Sequence, residues 1–480
     1  MFRCCTSIPE DWADPDALYP IKPDCREDVP VSHFKPTPGK TLSERRWQSS
    51  FSEEGYLDIA RVLRWIQRGG VHSNIKGEVW EFLLGCYDPK STFNERTQLR
   101  EKRRLEYEKV KSKCQEMEKR VGSGRIVVAP IITEDGQPIV NPSSNGANSG
   151  EEVKSNEVDS SIPENRNDSI NLDKEVIQWK LTLHQIGLDV VRTDRSLLYY
   201  ESSENQARLW DVLAVYSWID RDIGYCQGMS DLCSPIILLI ENEADAFWCF
   251  ERLMRRVRGN FKCTSNTIGV RAQLTLLSSV IKILDPKLHE HIGIISIICW
   301  TYTCSINCSI SCKISKLYVI HFCVILLLKF LTVNLDGGEY LFAFRMLMVL
   351  FRREFSFVDA LYLWELIWSM EYNPHLFTIY EANASPNRNQ DKSQNEDLMK
   401  YGKFERKCLK SGQKDQQANM SIFLVASILK AKNKRLLLEA KGLDDLVKML
   451  NGITGELDAK KACNEALKLH VKYLNKTKTT

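Results

Sequence analysis

Apolar residues recur along this chain at helical spacing, in short stripes separated by polar breaks. Ile59, Val62, Leu63 and Ile66 share one face, and Gly69 with Gly70 stops the run as a helix C-cap does. "KGEVWEFLLGCY" repeats the pattern with Val79, Trp80, Phe82 and Leu83 before Gly85 ends it. Helical spacing returns at Val176, and "IGLDVVRTDR" closes that helix with Ile186, Val190 and Thr193 on roughly one face. Residues 204–219 carry Leu209, Val212, Leu213 and Tyr216 inward, behind a capping-box pattern at Ser203 and Gln206. Asn242 caps the next run, whose inward residues are Phe247, Phe250, Met254 and Val257. Further helices are predicted at 270–284, 339–352, 357–370 and between Phe423 and Leu450. Alternating strand patterns are few, so the predicted class is all-α, a multi-helix domain in two halves with disordered insertions.

The breaks in this pattern set the expected organisation. Residues 1–40 are rich in proline and acid and read as an irregular arm, and 41–90 open the helical domain. Residues 91–172 combine a highly charged helix, expected to be a solvated face with i,i+4 ion pairs, and an Asn-, Ser-, Glu- and Gly-rich stretch too polar for a core. Helices resume over 173–293 and 335–380, a polar linker covers 381–418, and 419–480 close the domain with more helices. Lys430 to Arg435 read as a solvated basic face.

Residues 294–334 do not fit. They lack Asp, Glu, Arg, Gln, Gly, Pro, Ala and Met, and 317–333 approach membrane-spanning length, although His321 and Lys329 interrupt them. Three readings stay open: translated non-coding sequence or an atypical isoform, a buried apolar insertion, or a true anchor.

Composition narrows the function classes. With 43% hydrophobic and 26% charged residues the chain is globular, and a net charge of +3 argues against a dedicated nucleic-acid binder. The N-terminal twenty residues have no apolar core, so no secretory signal is expected. The 16 cysteines form no C-x-x-C pair and read as reduced thiols. Cys304, Cys308 and Cys312 recur every fourth residue without a following ligand cluster, so no metal site is expected there.

Two polar groups at helix boundaries carry the candidate chemistry. Arg192 follows Ile186 and Asp189 where an apolar helix ends, and Gln227 follows Tyr225 between Gly224 and Gly228. A guanidinium can spread over the charge that develops on a transferred phosphoryl group, and an amide can orient the attacking water. Read singly, Asp189 and Arg192 are equally a surface i,i+3 pair, and Y-x-Q-G a tight turn into a helix.

Taken together and in this order, the motifs resemble the TBC domain of GTPase-activating proteins for Rab GTPases. Ile186, Asp189 and Arg192 match I-x-x-D-x-x-R, followed by Thr193; Tyr225, Gln227 and Gly228 match Y-x-Q-G; "KGEVW" matches R-x-x-x-W with Trp80 in place and Lys76 where the family has arginine. "FAFRMLMVLFRREF" and "LYLWE" resemble later family helices around Arg345, Glu354, Phe355, Trp364 and Glu365. The resemblance implies that Arg192 is an arginine finger, that Gln227 is a glutamine finger, and that Asp189 anchors the arginine segment. Trp80 and Tyr225 would be structural, and Lys76 would make a weaker structural ion pair than arginine. The chain would then be an activator rather than an enzyme with its own substrate. Its partner would be a Rab-family GTPase in its GTP-bound form, which brings the GTP and magnesium, so no cofactor belongs to this chain. Location would be cytoplasmic and peripheral on endomembranes through the Rab, without integral anchoring. The rival expectation is an inert Rab-binding or scaffolding module whose C-terminal half is spoiled by 294–334.

Overall fold

The computed structural model describes residues 18–121, 166–262, 269–295, 338–381, 397–411 and 419–478. Among these there is no named strand, and three isolated bridges are the only extended pairing. The all-α expectation holds.

The N-terminal half opens with α1 (Glu44–Gln48), α2 (Ile59–Gly69), α3 (Lys76–Leu83) and the long α4 (Phe93–Val121). The helices α5 (Arg166–Val190), α6 (Ser203–Ile219), α7 (Met229–Leu239) and α8 (Glu243–Phe261) follow. The buried α6 lies among α4, α5, α7 and α8, with Leu209, Val212, Leu213 and Tyr216 inward as their spacing predicts. The C-terminal half contains α9 (Gly269–Leu284), a helical segment 286–295, α10 (Phe344–Met348), α11 (Phe357–Met370) and α12 (Leu376–Glu381). It ends with α13 (Lys403–Ser411), α14 (Met420–Glu439), α15 (Leu443–Asn451) and α16 (Ala459–Lys478). Every residue of α11 is buried, because α2, α3, α13 and α16 all pack on it.

Caps agree with the sequence in part. Asn242 accepts the Asp245 N–H at 3.1 Å, and Gly70 ends α2 with φ 69°. The Ser203–Gln206 capping box does not form. Ser202 occupies the N-cap without a side-chain bond, and the Gln206 amide donates to the Tyr200 carbonyl at 2.7 Å instead. The helix predicted at 339–352 is broken into a 3₁₀ turn (Gly338–Ala343), α10 and an irregular turn, because Leu350 and Phe351 adopt positive φ.

The charged α4 is helical and most of its described side chains are exposed, as expected, but one stripe of it packs inward. Arg96, Arg103, Tyr107 and Cys114 are buried, and its cations reach carboxylates on other elements. Arg100 meets Glu81 at 3.0 Å, Arg104 meets Asp245 at 2.5 Å, and Lys111 meets Glu243 and Asp211 at 2.5 and 3.1 Å. Lys102–Glu106 is the one i,i+4 pair recorded on the described part of the helix. The basic residues form their own helical stripe, which turns toward α8 because that surface carries the acids.

The described part of the N-terminal arm, residues 18–40, holds a short 3₁₀ turn (Pro23–Cys25) and contributes to the core. Tyr19 packs edge-on against Phe357, and Phe34 stacks on Tyr362 at 4.1 Å. Asp359 accepts the backbone N–H groups of His33 and Phe34 at 2.9 and 2.8 Å.

The helix α5 begins at Arg166, ahead of the Val176 start read from spacing. On the Lys430–Arg435 face, Lys430, Lys432 and Arg435 pair with Glu465, Glu456 and Glu439. Residues 122–165 and 296–337 lie outside the described residues, and with them Cys304, Cys308, Cys312 and the 317–333 span. No described helix is long and apolar enough to cross a membrane, and no described His/Cys/Asp/Glu group could hold a metal.

Candidate functional site

The helix α5 presents Trp179, Leu183, Ile186 and Val190 to the interior, where Trp179 packs edge-on against Trp218 of α6. The helix stops at Val190, and Thr193 tucks back to close it. Its N–H and Oγ1 both donate to the Asp189 carbonyl, at 2.9 and 2.7 Å. Thr193 Oγ1 also hydrogen-bonds Ser230 Oγ at 2.8 Å, which fastens this loop to the first turn of α7.

Asp189 is buried and divides its carboxylate between two elements. Oδ1 accepts Arg192 Nε at 2.9 Å and also Nη2, while Oδ2 accepts the Tyr225 hydroxyl at 2.6 Å. Burial, followed by the bond to Asp189, pushes the Tyr225 hydroxyl well above its ordinary pKa, so it remains a proton donor at any physiological pH. The Arg192 side chain is 56% exposed even though it touches Asp189. The guanidinium is thus steered from beneath and open above.

The second loop follows α6. The Asp220 carbonyl accepts the Gly224 N–H at 2.7 Å, and its carboxylate takes the Arg258 fork at 2.7 and 2.8 Å. Gly224 and Gly228 have φ of 62° and 99°, and Gly228 serves as N-cap of α7. A Cβ at Gly228 would come within 2.9 Å of Val349, so the chain needs glycine there for space as well as for φ. Gln227, immediately before it, is exposed.

Sequence reasoning named both exposed groups and the anchor; the structure ties their loops together through Asp189–Tyr225 and Thr193–Ser230. Lys76 and Trp80 belong elsewhere. Both are buried at the contact of α3 with α11, where Lys76 ion-pairs with Glu365 and Trp80 Nε1 donates to it at 3.3 Å. Val71 N–H adds a third donor at 3.0 Å, supplying the bonds that a lysine has no fork to make. Burial raises the Glu365 carboxyl and Lys76 pulls it back. Spacing missed Asp194, Ser230 and Asp231, because a lone acid or hydroxyl after a motif carries no periodic signal.

Among the described residues, an all-helical domain offers an arginine and a glutamine from two mutually bonded loops. Residues 146–333 match the family model of the Rab-GTPase-TBC domain. Among its relatives, Rab GTPase-activating protein 22 of Arabidopsis thaliana is 27% identical over 406 residues, covering 68% of this chain and 66% of that protein. TBC1 domain family member 17 of Homo sapiens is 28% identical over 341 residues, covering 70% of this chain and 38% of that protein. This chain therefore spans just under two thirds of the first and well under half of the second. The fold is similar to the crystal structure of the Ypt/Rab-GAP domain of Gyp1p, with a TM-score of 0.52 at 15% identity over 89% of this chain and 98% of that one.

Proposed function

We propose that this chain accelerates GTP hydrolysis by a Rab-family small GTPase in its GTP-bound form, with Arg192 and Gln227 both entering the partner's nucleotide site. The observation that carries the reading is the shared anchor. One buried carboxylate, Asp189, bonds Arg192 on one loop and Tyr225, two residues from Gln227, on the other. Two exposed groups held by one buried group keep a fixed relation to each other, which is what positioning a phosphoryl-transfer transition state requires.

In this mechanism the GTPase brings GTP and magnesium, and this chain contributes no cofactor. Arg192 spreads positive charge over the developing charge on the γ-phosphoryl group, a contribution worth about 10³–10⁵ in rate for an arginine supplied in trans. Gln227 holds the attacking water in line. Asp189 and Tyr225 orient the guanidinium, Thr193 closes the helix beneath it, and Gly228 lets the glutamine loop turn sharply. The chain makes and breaks no bond of its own, and it meets membranes peripherally, through the Rab.

Phosphate release from a panel of GTP-loaded Rabs tests this. Arg192→Ala and Gln227→Ala should each abolish the acceleration while leaving the fold intact, as circular dichroism checks. Parent-like acceleration by either variant would refute the two-finger mechanism.

A further inference from the structure

The turn over 349–355, between α10 and α11, faces both finger loops. Three non-glycine residues of the described chain have positive φ: Asp194 at 47°, Leu350 at 48° and Phe351 at 61°. Such backbone is energetically unfavourable and persists where surrounding contacts over-determine it. Here the strained residues lie on two turns clasped to each other. Arg352, which follows Phe351, ion-pairs with Asp194, two residues beyond Arg192, and both side chains are nine-tenths buried. The second Asp194 oxygen accepts Ser234 Oγ at 2.5 Å, and the Arg352 guanidinium lies 4.7 Å over the Phe357 ring.

The neighbouring Arg353 reaches in the other direction. Its Nη2 and Nε donate to the two carboxylate oxygens of Asp231 at 2.6 and 3.3 Å. Asp231 lies in the first turn of α7, directly after Gln227 and Gly228, and Val349 of the same turn packs on Gly228. The four charges sense one another: burial raises the Asp231 carboxyl, Arg353 and Arg352 lower it, and Asp194 raises it further. A buried ion pair is a poor source of stability compared with apolar packing, whereas it fixes geometry well.

We propose that the Arg352–Arg353 turn is a two-armed brace that positions both fingers, Arg352 holding the Arg192 loop through Asp194 and Arg353 holding the Gln227 loop through Asp231. This rests on the two-finger reading above. The brace residues act through Asp194 and Asp231 on the two loops, so they are positioning residues whose effect falls on the transition state.

The test compares binding of the full chain to its best Rab substrate in two forms, one loaded with a non-hydrolysable GTP analogue and one with GDP and aluminium fluoride, which resembles the transition state. Arg353→Gln, Asp231→Asn and Asp194→Asn should each lose about ten- to a hundredfold in affinity for the aluminium-fluoride form, with a matching drop in kcat. Affinity for the analogue form and KM should stay within about twofold, and Arg353→Lys should recover part of the loss by keeping the charge. Equal losses for both forms, or no loss for either, would overturn the brace. Arg192→Ala serves as the reference. If it keeps full affinity for the aluminium-fluoride form, the two-finger reading fails; if it loses that affinity while the brace variants do not, only the brace is wrong. Arg353 is half exposed, so its replacement leaves the core intact and the comparison measurable.

Discussion

Asp189 serves Arg192 with one oxygen and Tyr225 with the other, and both bonds depend on its burial. Tyr225→Phe keeps the ring and strands the second oxygen, which should cost about 1–3 kcal/mol in urea unfolding and lower the GAP kcat more than KM. A variant that unfolds like the parent would show that water replaces the hydroxyl. Lys76 and Glu365 make a sharper case, since both are buried and Glu365 has no other cation recorded on it. Lys76→Met should destabilise by about 3–5 kcal/mol, and adding Glu365→Leu should restore most of that loss, as thermal melts can measure. At this scale the motifs exposed Arg192, Asp189 and Gln227 in the sequence. The bond from Asp189 to Tyr225 was hidden, because it spans 36 residues with no periodic relation between its ends. The same holds for Lys76 and Glu365, 289 residues apart, where spacing showed each residue and neither partner.

Helices with apolar stripes were legible wherever the stripe faced a core, as in α2, α3, α6 and α8. The inward stripe of α4 was not legible, because its face toward α3 and α8 is built from arginines, lysine and tyrosine rather than aliphatics. Hydrophobic periodicity has no term for a helix face seated through ion pairs. The break after α10 was missed for a different reason: the left-handed Leu350 and Phe351 have no glycine or asparagine to announce them. The closing helices carry a pH signature of their own. His470 of α16 stacks on Phe404 of α13 at 4.1 Å, and burial, with help from Lys407, lowers its pKa to about 4. The folded pKa lies below the unfolded value of about 6.5, so the unfolded state binds more protons in that window. Stability from this neutral imidazole should be fully present above about pH 6.5 and fall as pH drops toward about 4. Glu81 on α3 behaves oppositely: burial raises it to about 7, and its contribution should fade as pH rises from about 4.5 through 7. Unfolding curves of His470→Phe and Glu81→Gln across pH 4–8 should each flatten one flank of the parent profile, and unchanged flanks would contradict the assignment.

For the whole molecule, the decisive question is whether 294–334 spoils the second half. The described residues on either side of 296–337 are well seated: Ile295 and Tyr340 are buried, and His289 Nδ1 lies 3.0 Å from Tyr340 Oη. The chain thus leaves and re-enters the domain at neighbouring points. A variant with 296–337 replaced by a short Gly/Ser linker should fold with the parent melting temperature and activate the same Rab equally well. Activity in the shortened form alone would favour the inert-module reading of the full chain. Sequence pattern marked this segment as foreign by composition, but the closeness of its flanks is a tertiary fact that composition does not encode.

The long reach of α11 also has a consequence for synthesis. Its Glu365, Asp359 and Tyr362 complete contacts with Lys76, Phe34 and the arm, across 289 to 328 residues of chain. At about 5–20 residues per second, a ribosome needs roughly 15–65 s to make that interval. Through that time the nascent N-terminal half carries an ammonium without its carboxylate and aromatic faces without their cover. Such a chain is a natural client for holdase chaperones, and its release from them should coincide with the emergence of α11 from the exit tunnel.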